Sequence, residues 1–291
     1  MSAATTAAPP AARGRAPGAR AGAVRLVGLA ALALYAAVSL YPFLWMVSGA
    51  FKDRFEILAG GHLIPVRPTL DTLLQTWSEL RFLDYFLNSL RVTGFTVLGV
   101  LAVYSLASYA FAVLDFPGRR ALFWFFVGLL FVPGITVLLP VVILENRLGI
   151  LGTHLGLVLP FVNGTAPLTV LMLTNAFRSV PRELHDAARV DGAGEARIFW
   201  RVYLPLSRPT MITVAVLVAV PTWNEYVLTR VSLTEESRYT LPLALESLAT
   251  GNVPQYNEIM AGSLIIVVPV IVLFLALQRY FVSGLAGAVK D

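Results

Sequence analysis

Polar and ionisable side chains are scarce in this chain, so the few that could do chemistry are quickly weighed. Cysteine is absent, which removes disulfides, thiolate metal sites and a cysteine nucleophile. The three histidines, His62, His154 and His185, lie far apart in sequence and suggest no histidine-rich metal site. The only lysines, Lys52 and Lys290, stand outside any Gly-x-x-x-x-Gly-Lys-Ser/Thr setting, so the chain carries no phosphate-binding loop. Serine, histidine and aspartate occur in unrelated segments and form no nucleophile–base pattern. Two groups remain. One is a polar set within or beside apolar runs: Asn163, Asn175, Trp223, Asn224, Glu225 and Tyr226. Aromatic faces and neutral hydrogen-bonding groups are what a polar, uncharged ligand needs. The same residue types also serve structure, since Asn bridges membrane helices and Trp and Tyr gather at membrane interfaces. The other group is an arginine-rich segment, 178–208.

The composition says what must position these residues. Of 291 residues, 57% are apolar and 13% charged, and the mean hydropathy is +0.74. Soluble domains carry about 25% charged residues, so this surface cannot all face water. A soluble globular enzyme and a disordered chain are both excluded, and the solvent is expected to be a bilayer. About 20 apolar residues cross its hydrocarbon core. Charge-free runs of that order recur at 26–51, 92–114, 121–144, within 148–177, and at 259–278; residues 209–224, continuing toward Leu228, make a sixth. The expected fold is an all-α membrane protein with six transmembrane helices. Residues 1–25, rich in Ala, Pro, Gly and Arg, read as a disordered tail, and 26–291 as one membrane domain. The run at 26–51 exceeds the roughly 7–15 residues of a signal-peptide core, so it is expected to stay as a span.

Six spans put both termini on one side. Fourteen Lys and Arg then fall on that side, six of them in 178–208, against seven on the other. The positive-inside rule places both termini and the 178–208 loop in the cytoplasm. The net charge of +5 is thereby read as a topology signal, and no nucleic-acid partner is expected. Pro133, Pro140, Pro160, Pro167, Pro221 and Pro269 fall inside spans, where each removes a backbone donor. They either kink the helices or shape a bundle that opens and closes a pathway. Glu225 is the main intramembrane charge. No span carries the acidic and basic pairs of a proton relay, which weakens a proton-coupled secondary transporter and leaves a sodium-driven one open. In the first outer loop, Leu70, Leu73, Leu74, Trp77 and Leu80 recur at helical spacing opposite Asp71, Gln75 and Glu79. That helix is expected to turn its apolar side to the bundle or the interface, or to meet an external partner.

The 178–208 loop has the most definite local physics. Pro181 suits a first helical turn, with Ser179 as cap. Leu184, Ala187 and Ala188 share a small apolar face, and Arg182 and Asp186 are spaced to pair across one turn. Asp191-Gly192 should end the helix, Gly192 supplying the left-handed C-cap. A second amphipathic stretch, 195–203, is expected to stop before Pro205. Physics alone allows either a docking element or a hairpin lying on lipid.

Asp186-Ala187-Ala188, Gly192 and Val202-Tyr203-Leu204-Pro205 stand at the spacings of the EAA loop, Glu-Ala-Ala, three residues, Gly, nine residues, Ile-x-Leu-Pro. The segment therefore resembles that loop of the permease subunits of binding-protein-dependent ABC importers, with Asp for Glu and Val for Ile. Tyr85-Phe86-Leu87-Asn88-Ser89-Leu90, Phe116-Pro117-Gly118-Arg119-Arg120, Trp223-Asn224-Glu225-Tyr226 and Gln278-Arg279-Tyr280-Phe281-Val282 are similar to its carbohydrate-uptake, MalG-like branch. The tail 284–290 resembles that branch's usual end, one residue short.

The resemblance implies a non-enzymatic transport subunit of a bacterial cytoplasmic membrane that imports a sugar or oligosaccharide. It implies a coupling helix between spans four and five, with Glu183, Leu184, Asp186, Ala187, Ala188, Asp191 and Gly192 meeting the ATPase. It also implies a second homologous permease, two ATPase subunits that hold the ATP and Mg, an extracytoplasmic solute-binding protein and a surrounding membrane lipid. No cofactor is expected in this chain itself. A self-contained secondary transporter, a non-transporting membrane scaffold, or an ABC permease for a polyol or glycerol phosphate are the competing readings.

Overall fold

The computed structural model describes residues 19–78, 81–250 and 255–288, with side chains from within 24–276. The expected tail lies largely outside them, as do Glu79, Leu80 and the last three residues. Every regular element among the described residues is helical. Three helices are long and apolar enough to cross a membrane: Val24–Ala50, Phe82–Val113 and Tyr256–Ala276. Three bent pairs raise the number to as many as six if each pair is one span.

The chain opens with α1 (Ala19–Ala50), α2 (Arg54–Ala59) and α3 (Asp71–Ser78), followed by the central rod α4 (Phe82–Val113). The rod begins ten residues before the charge-free run at 92–114, because Arg91, exposed, and Asp84, half-buried and paired with Arg81, are carried on the helix rather than ending it. Its buried face is small and polar: Ser89, Thr93, Thr96 and Ser108 alternate with Val92, Val100, Tyr104 and Phe111. Leu98, Val103 and Leu106 point outward. That inversion suits a bilayer, where small and hydroxyl side chains let helix backbones approach and lipid takes the leucines. Two of the hydroxyls pair across elements: Ser89 Oγ accepts from the Leu241 N–H at 2.8 Å, and Ser108 Oγ donates to the Val170 carbonyl at 3.4 Å.

Two sharply bent helix pairs follow. α5 (Arg119–Gly128) and α6 (Leu138–Arg147) belong to a pair bent by 97° at Val132-Pro133. Val132 is extended, as the residue before a proline prefers. α7 (His154–Gly164) and α8 (Ala166–Arg178) meet at Thr165 with a 51° bend, Pro167 lying in the first turn of α8. These are larger departures than ordinary kinks.

After α9 (Arg182–Val190), α10 (Glu195–Ile198) runs through a π turn, Phe199–Tyr203, into α11 (Leu204–Leu206). Pro205 was expected to follow the end of this stretch. It is instead absorbed: the Leu204 N–H reaches back five residues to the Phe199 carbonyl, and the helix ends only at Leu206. A 76° bend then leads to α12 (Arg208–Trp223). α12 stops at Trp223 and does not continue to Leu228, which lies on α13 (Val227–Ser232). α14 (Leu241–Ala249) and α15 (Tyr256–Ala288) complete the chain. α8, α12 and α7 pack around α4, while α1 touches α15 and is otherwise exposed along most of its length.

α3 keeps Leu70 and Leu74 off the bundle, which leaves the interface or an external partner of the sequence reading. Thr72 and Thr76 are buried, whereas Leu70 and Leu74 are exposed. Thr72 Oγ1 donates to the Lys52 carbonyl at 3.0 Å, which fixes that polar side against the start of the loop. The leucines are left to lipid or a partner.

Candidate functional site

Helix α9 has the strongest amphipathic division of side chains in its region, and its end is fully specified. Gly192 sits at φ +80°, where a Cβ is disfavoured. Its N–H bonds the Arg189 carbonyl at 3.0 Å, and the Ala193 N–H bonds the Ala188 carbonyl at 2.9 Å. That pair of bonds is the Schellman arrangement, which satisfies carbonyls a helix end would otherwise orphan. Ala188 and Ala193 pack on the same core cluster, supplying the apolar contact that accompanies it. Gly192 thus ends the helix as its position suggested.

The start of α9 differs from expectation. Pro181 is the N-cap, its carbonyl accepting from the Leu184 N–H at 3.2 Å, and Ser179 Oγ turns back to the Ala176 carbonyl at 2.7 Å. Arg182 and Asp186 form no ion pair, although four residues apart. The electrostatic centre is Glu195, at the start of α10, which sequence reasoning missed. Its carboxylate accepts from the Tyr109 hydroxyl at 2.6 Å, and lies 3.8 Å from His185 Nε2 and 3.9 Å from Arg189 Nη1. Tyr109 stands edge-on to Phe177, Phe199 and Tyr203. One carboxylate therefore ties α9 and α10 to the central rod.

The result is a helix pair with two distinct sides. His185 is buried and Ala188 half-buried against the bundle. Glu183, Leu184, Asp186, Ala187, Val190 and Asp191 are exposed, Val190 by 88%. An apolar strip with flanking carboxylates, presented on a braced helix, can dock a partner.

The polar set within the spans divides. Asn163 and Glu225 line one cleft of about 330 Å³, with Ile135, Val137, Val141 and Phe161. Three breaks in the helices converge there: the Gly134–Val137 turn after Pro133, the end of α7 before Thr165, and the 224–226 gap between α12 and α13. Irregular backbone within an apolar helical protein is tolerated where it lines a cavity, and all three breaks line this one. Glu225 is partly committed: it accepts from the Leu228 and Thr229 N–H groups at 2.8 and 3.1 Å and from Thr229 Oγ1 at 2.8 Å. Trp223 is buried, and its Nε1 donates to the Ile266 carbonyl at 3.1 Å. Asn224 donates to the Val220 carbonyl at 2.9 Å and is exposed. Tyr226 packs at the rim of a separate apolar cluster, and Asn175 is exposed on α8.

Residues 96–287 match the family described as the binding-protein-dependent transport system inner membrane component. The chain belongs to that family. A galactooligosaccharides transport system permease protein of Bacillus subtilis is 31% identical over 264 residues, covering 89% of this chain and 93% of that protein. An arabinooligosaccharides transport system permease protein of Halalkalibacterium halodurans is 32% identical over 263 residues, covering 89% and 94%. A crystal structure of a bacterial ABC transporter involved in the import of the acidic polysaccharide alginate contains a chain of the same fold. It aligns with a TM-score of 0.81 at 24% identity, over 91% of this chain and 98% of that one. The family consists of membrane components of transport systems, so this chain is a transport component rather than an enzyme.

Proposed function

We propose that this chain is a six-span permease subunit of a bacterial ABC importer for a sugar or oligosaccharide, with both termini in the cytoplasm. α9 is its coupling helix, seated in a groove of a separate ATPase subunit that holds the ATP and Mg. A second homologous permease, two ATPase subunits and an extracytoplasmic solute-binding protein complete the assembly. The observation that carries the reading is the bracing of α9. Its outer face offers Leu184, Ala187 and Val190, while Glu195 and Tyr109 link its inner side to α4. A push on the exposed face is therefore delivered to a membrane-crossing rod, which is what converting ATPase closure into alternating access requires. The cleft of Asn163 and Glu225 lies where three helix breaks meet, and supports a substrate path through this subunit. The oligosaccharide relatives support the solute class.

The test is reconstitution. The binding protein encoded with this chain, titrated calorimetrically with oligosaccharides, identifies the solute. Proteoliposomes holding both permeases and the ATPase should then take it up only with ATP. Ala187→Arg should abolish ATPase co-purification and uptake at unchanged insertion. Uptake by the permeases without any ATPase would establish a secondary transporter instead.

A further inference from the structure

Beside α9 lies a second cavity, of about 470 Å³, lined by none of Leu184, Ala187 and Val190 but shared at Asp186 with the exposed face. It is a partly open cleft bounded by the end of α4, the start of α5, the end of α8 and α9 itself. Four guanidinium groups line it, from Arg119, Arg178, Arg182 and Arg189, against two carboxylates, Asp115 and Asp186. The groups are unequally committed. Arg119 is held by Asp115 at 2.8 Å, and Arg178 lies over the Phe123 ring and reaches the Phe111 carbonyl at 3.4 Å. Among the described residues, Arg189 keeps only a 3.9 Å approach to Glu195, and Arg182 makes no ion pair. His185 also lines the cavity, and its buried Nδ1 has no hydrogen-bond partner among the described residues.

A buried ring nitrogen without a partner is costly, and with a proton on Nδ1 it is a donor that a phosphate oxygen would satisfy. Guanidinium groups in excess of carboxylates, presented around one cavity, fit the planar, bidentate recognition of a phosphate. The cavity also lies beside α5, whose Trp124 and Phe125 are exposed at 59% and 60%. Aromatic residues of that kind mark a membrane interface. We infer that this cavity binds a phosphate group, chemistry shared by an anionic lipid headgroup and by a free cytosolic phosphate. The inference rests on the cytoplasmic orientation of α9 proposed above.

The experiment uses the assembled transporter in nanodiscs. The wild type in phosphatidylcholine is titrated with short-chain phosphatidylglycerol and, in parallel, with inorganic phosphate, and binding is read by native mass spectrometry. Arg182→Gln and Arg189→Gln should each weaken binding about fivefold, the effect of one cationic side chain near an anionic headgroup. Arg201→Gln, one charge lost from the same loop outside the cavity, should leave it unchanged. Binding of the lipid that inorganic phosphate does not displace assigns the source to the membrane. Displacement by millimolar phosphate assigns it to the cytosol. Equal binding in wild type, Arg182→Gln and Arg189→Gln overturns the site. So does binding by the permease that vanishes when the ATPase docks, which would make the cavity part of the ATPase seat. The chain has no cysteine, so labelling of Arg201→Cys in intact and permeabilised cells by an impermeant maleimide reads orientation separately. An external signal refutes the topology, whereas a cytoplasmic signal with no arginine dependence refutes only the phosphate site.

Discussion

Tyr109 donates its hydroxyl proton to Glu195 at 2.6 Å, across 86 residues of sequence. One partner stands in the long central helix and the other opens the second helix of the 178–208 loop. A hydrogen bond to a charged group contributes about 1.5–3 kcal/mol, and here it spans the joint through which motion would pass. Tyr109→Phe should leave the chain folded and inserted, with faster amide exchange across 182–206. ATP hydrolysis by the assembled transporter should then continue with less solute moved per ATP. Unaltered exchange in this segment would show that the aromatic packing around Tyr109 suffices to hold the loop.

Two glycines in the same turn make a paired test. Gly192 sits at φ +80° and Gly194 at φ −74°, and an added Cβ meets nothing within 4 Å at either. Only the backbone separates them. A side chain in the left-handed region costs about 1–2 kcal/mol, whereas Gly194 is an N-cap, where Ser is favoured. Gly192→Leu should lose ATPase association and uptake at matched expression, and Gly194→Ser should keep both. Equal behaviour of the two in co-purification would remove the conformational argument for Gly192.

Asp186 separates a partner contact from a local one. The spacing to Arg182 predicted an intrahelical pair, worth about 0.2–0.5 kcal/mol at a solvated face, and no such pair forms. Asp186→Ala should therefore leave thermal stability unchanged. Reduced ATPase co-purification from that variant would place a partner's cation opposite the carboxylate. Unchanged co-purification together with a lowered melting temperature would show that the carboxylate serves this chain alone.

How much of this was legible in the sequence depends on the range of each interaction. The turn at Gly192 was legible because a Schellman cap needs only a glycine after an amphipathic run. The apolar runs were legible because hydrocarbon thickness imposes a length. Glu195 was not, since its three neighbours come from α4 and α9 and no local pattern brings them together. The break at Pro133 could be placed but its 97° could not. For α3 the sequence showed an apolar side but not what meets it: leucine spacing is the same for the bundle, lipid or a partner, and the packed threonine side depends on Thr72 reaching the distant Lys52 carbonyl. Ser179 and Pro205 failed as boundary signals because a proline N-cap and a π turn offered the backbone other ways to close its hydrogen bonds.

Trp223 and Asn163 lead to opposite expectations, although both were singled out as possible sugar contacts. Trp223 is 6% exposed, stands edge-on to Phe86 and gives its N–H to the Ile266 carbonyl. Trp223→Phe keeps a ring and leaves that carbonyl without its indole donor, at a cost of about 1–3 kcal/mol. The variant should melt earlier while the solute concentration for half-maximal uptake stays put. Asn163 is exposed on the wall of the cleft, facing the same space as Glu225. Asn163→Ala should leave the melting temperature alone. If its amide meets a sugar hydroxyl, the half-maximal concentration should rise about five- to tenfold, as expected for one lost hydrogen bond of roughly 1–1.4 kcal/mol. Thermal melting and uptake kinetics on the same two preparations distinguish these effects. A kinetic change at Trp223 with none at Asn163 would move the solute path away from the cleft and toward the α12–α15 contact.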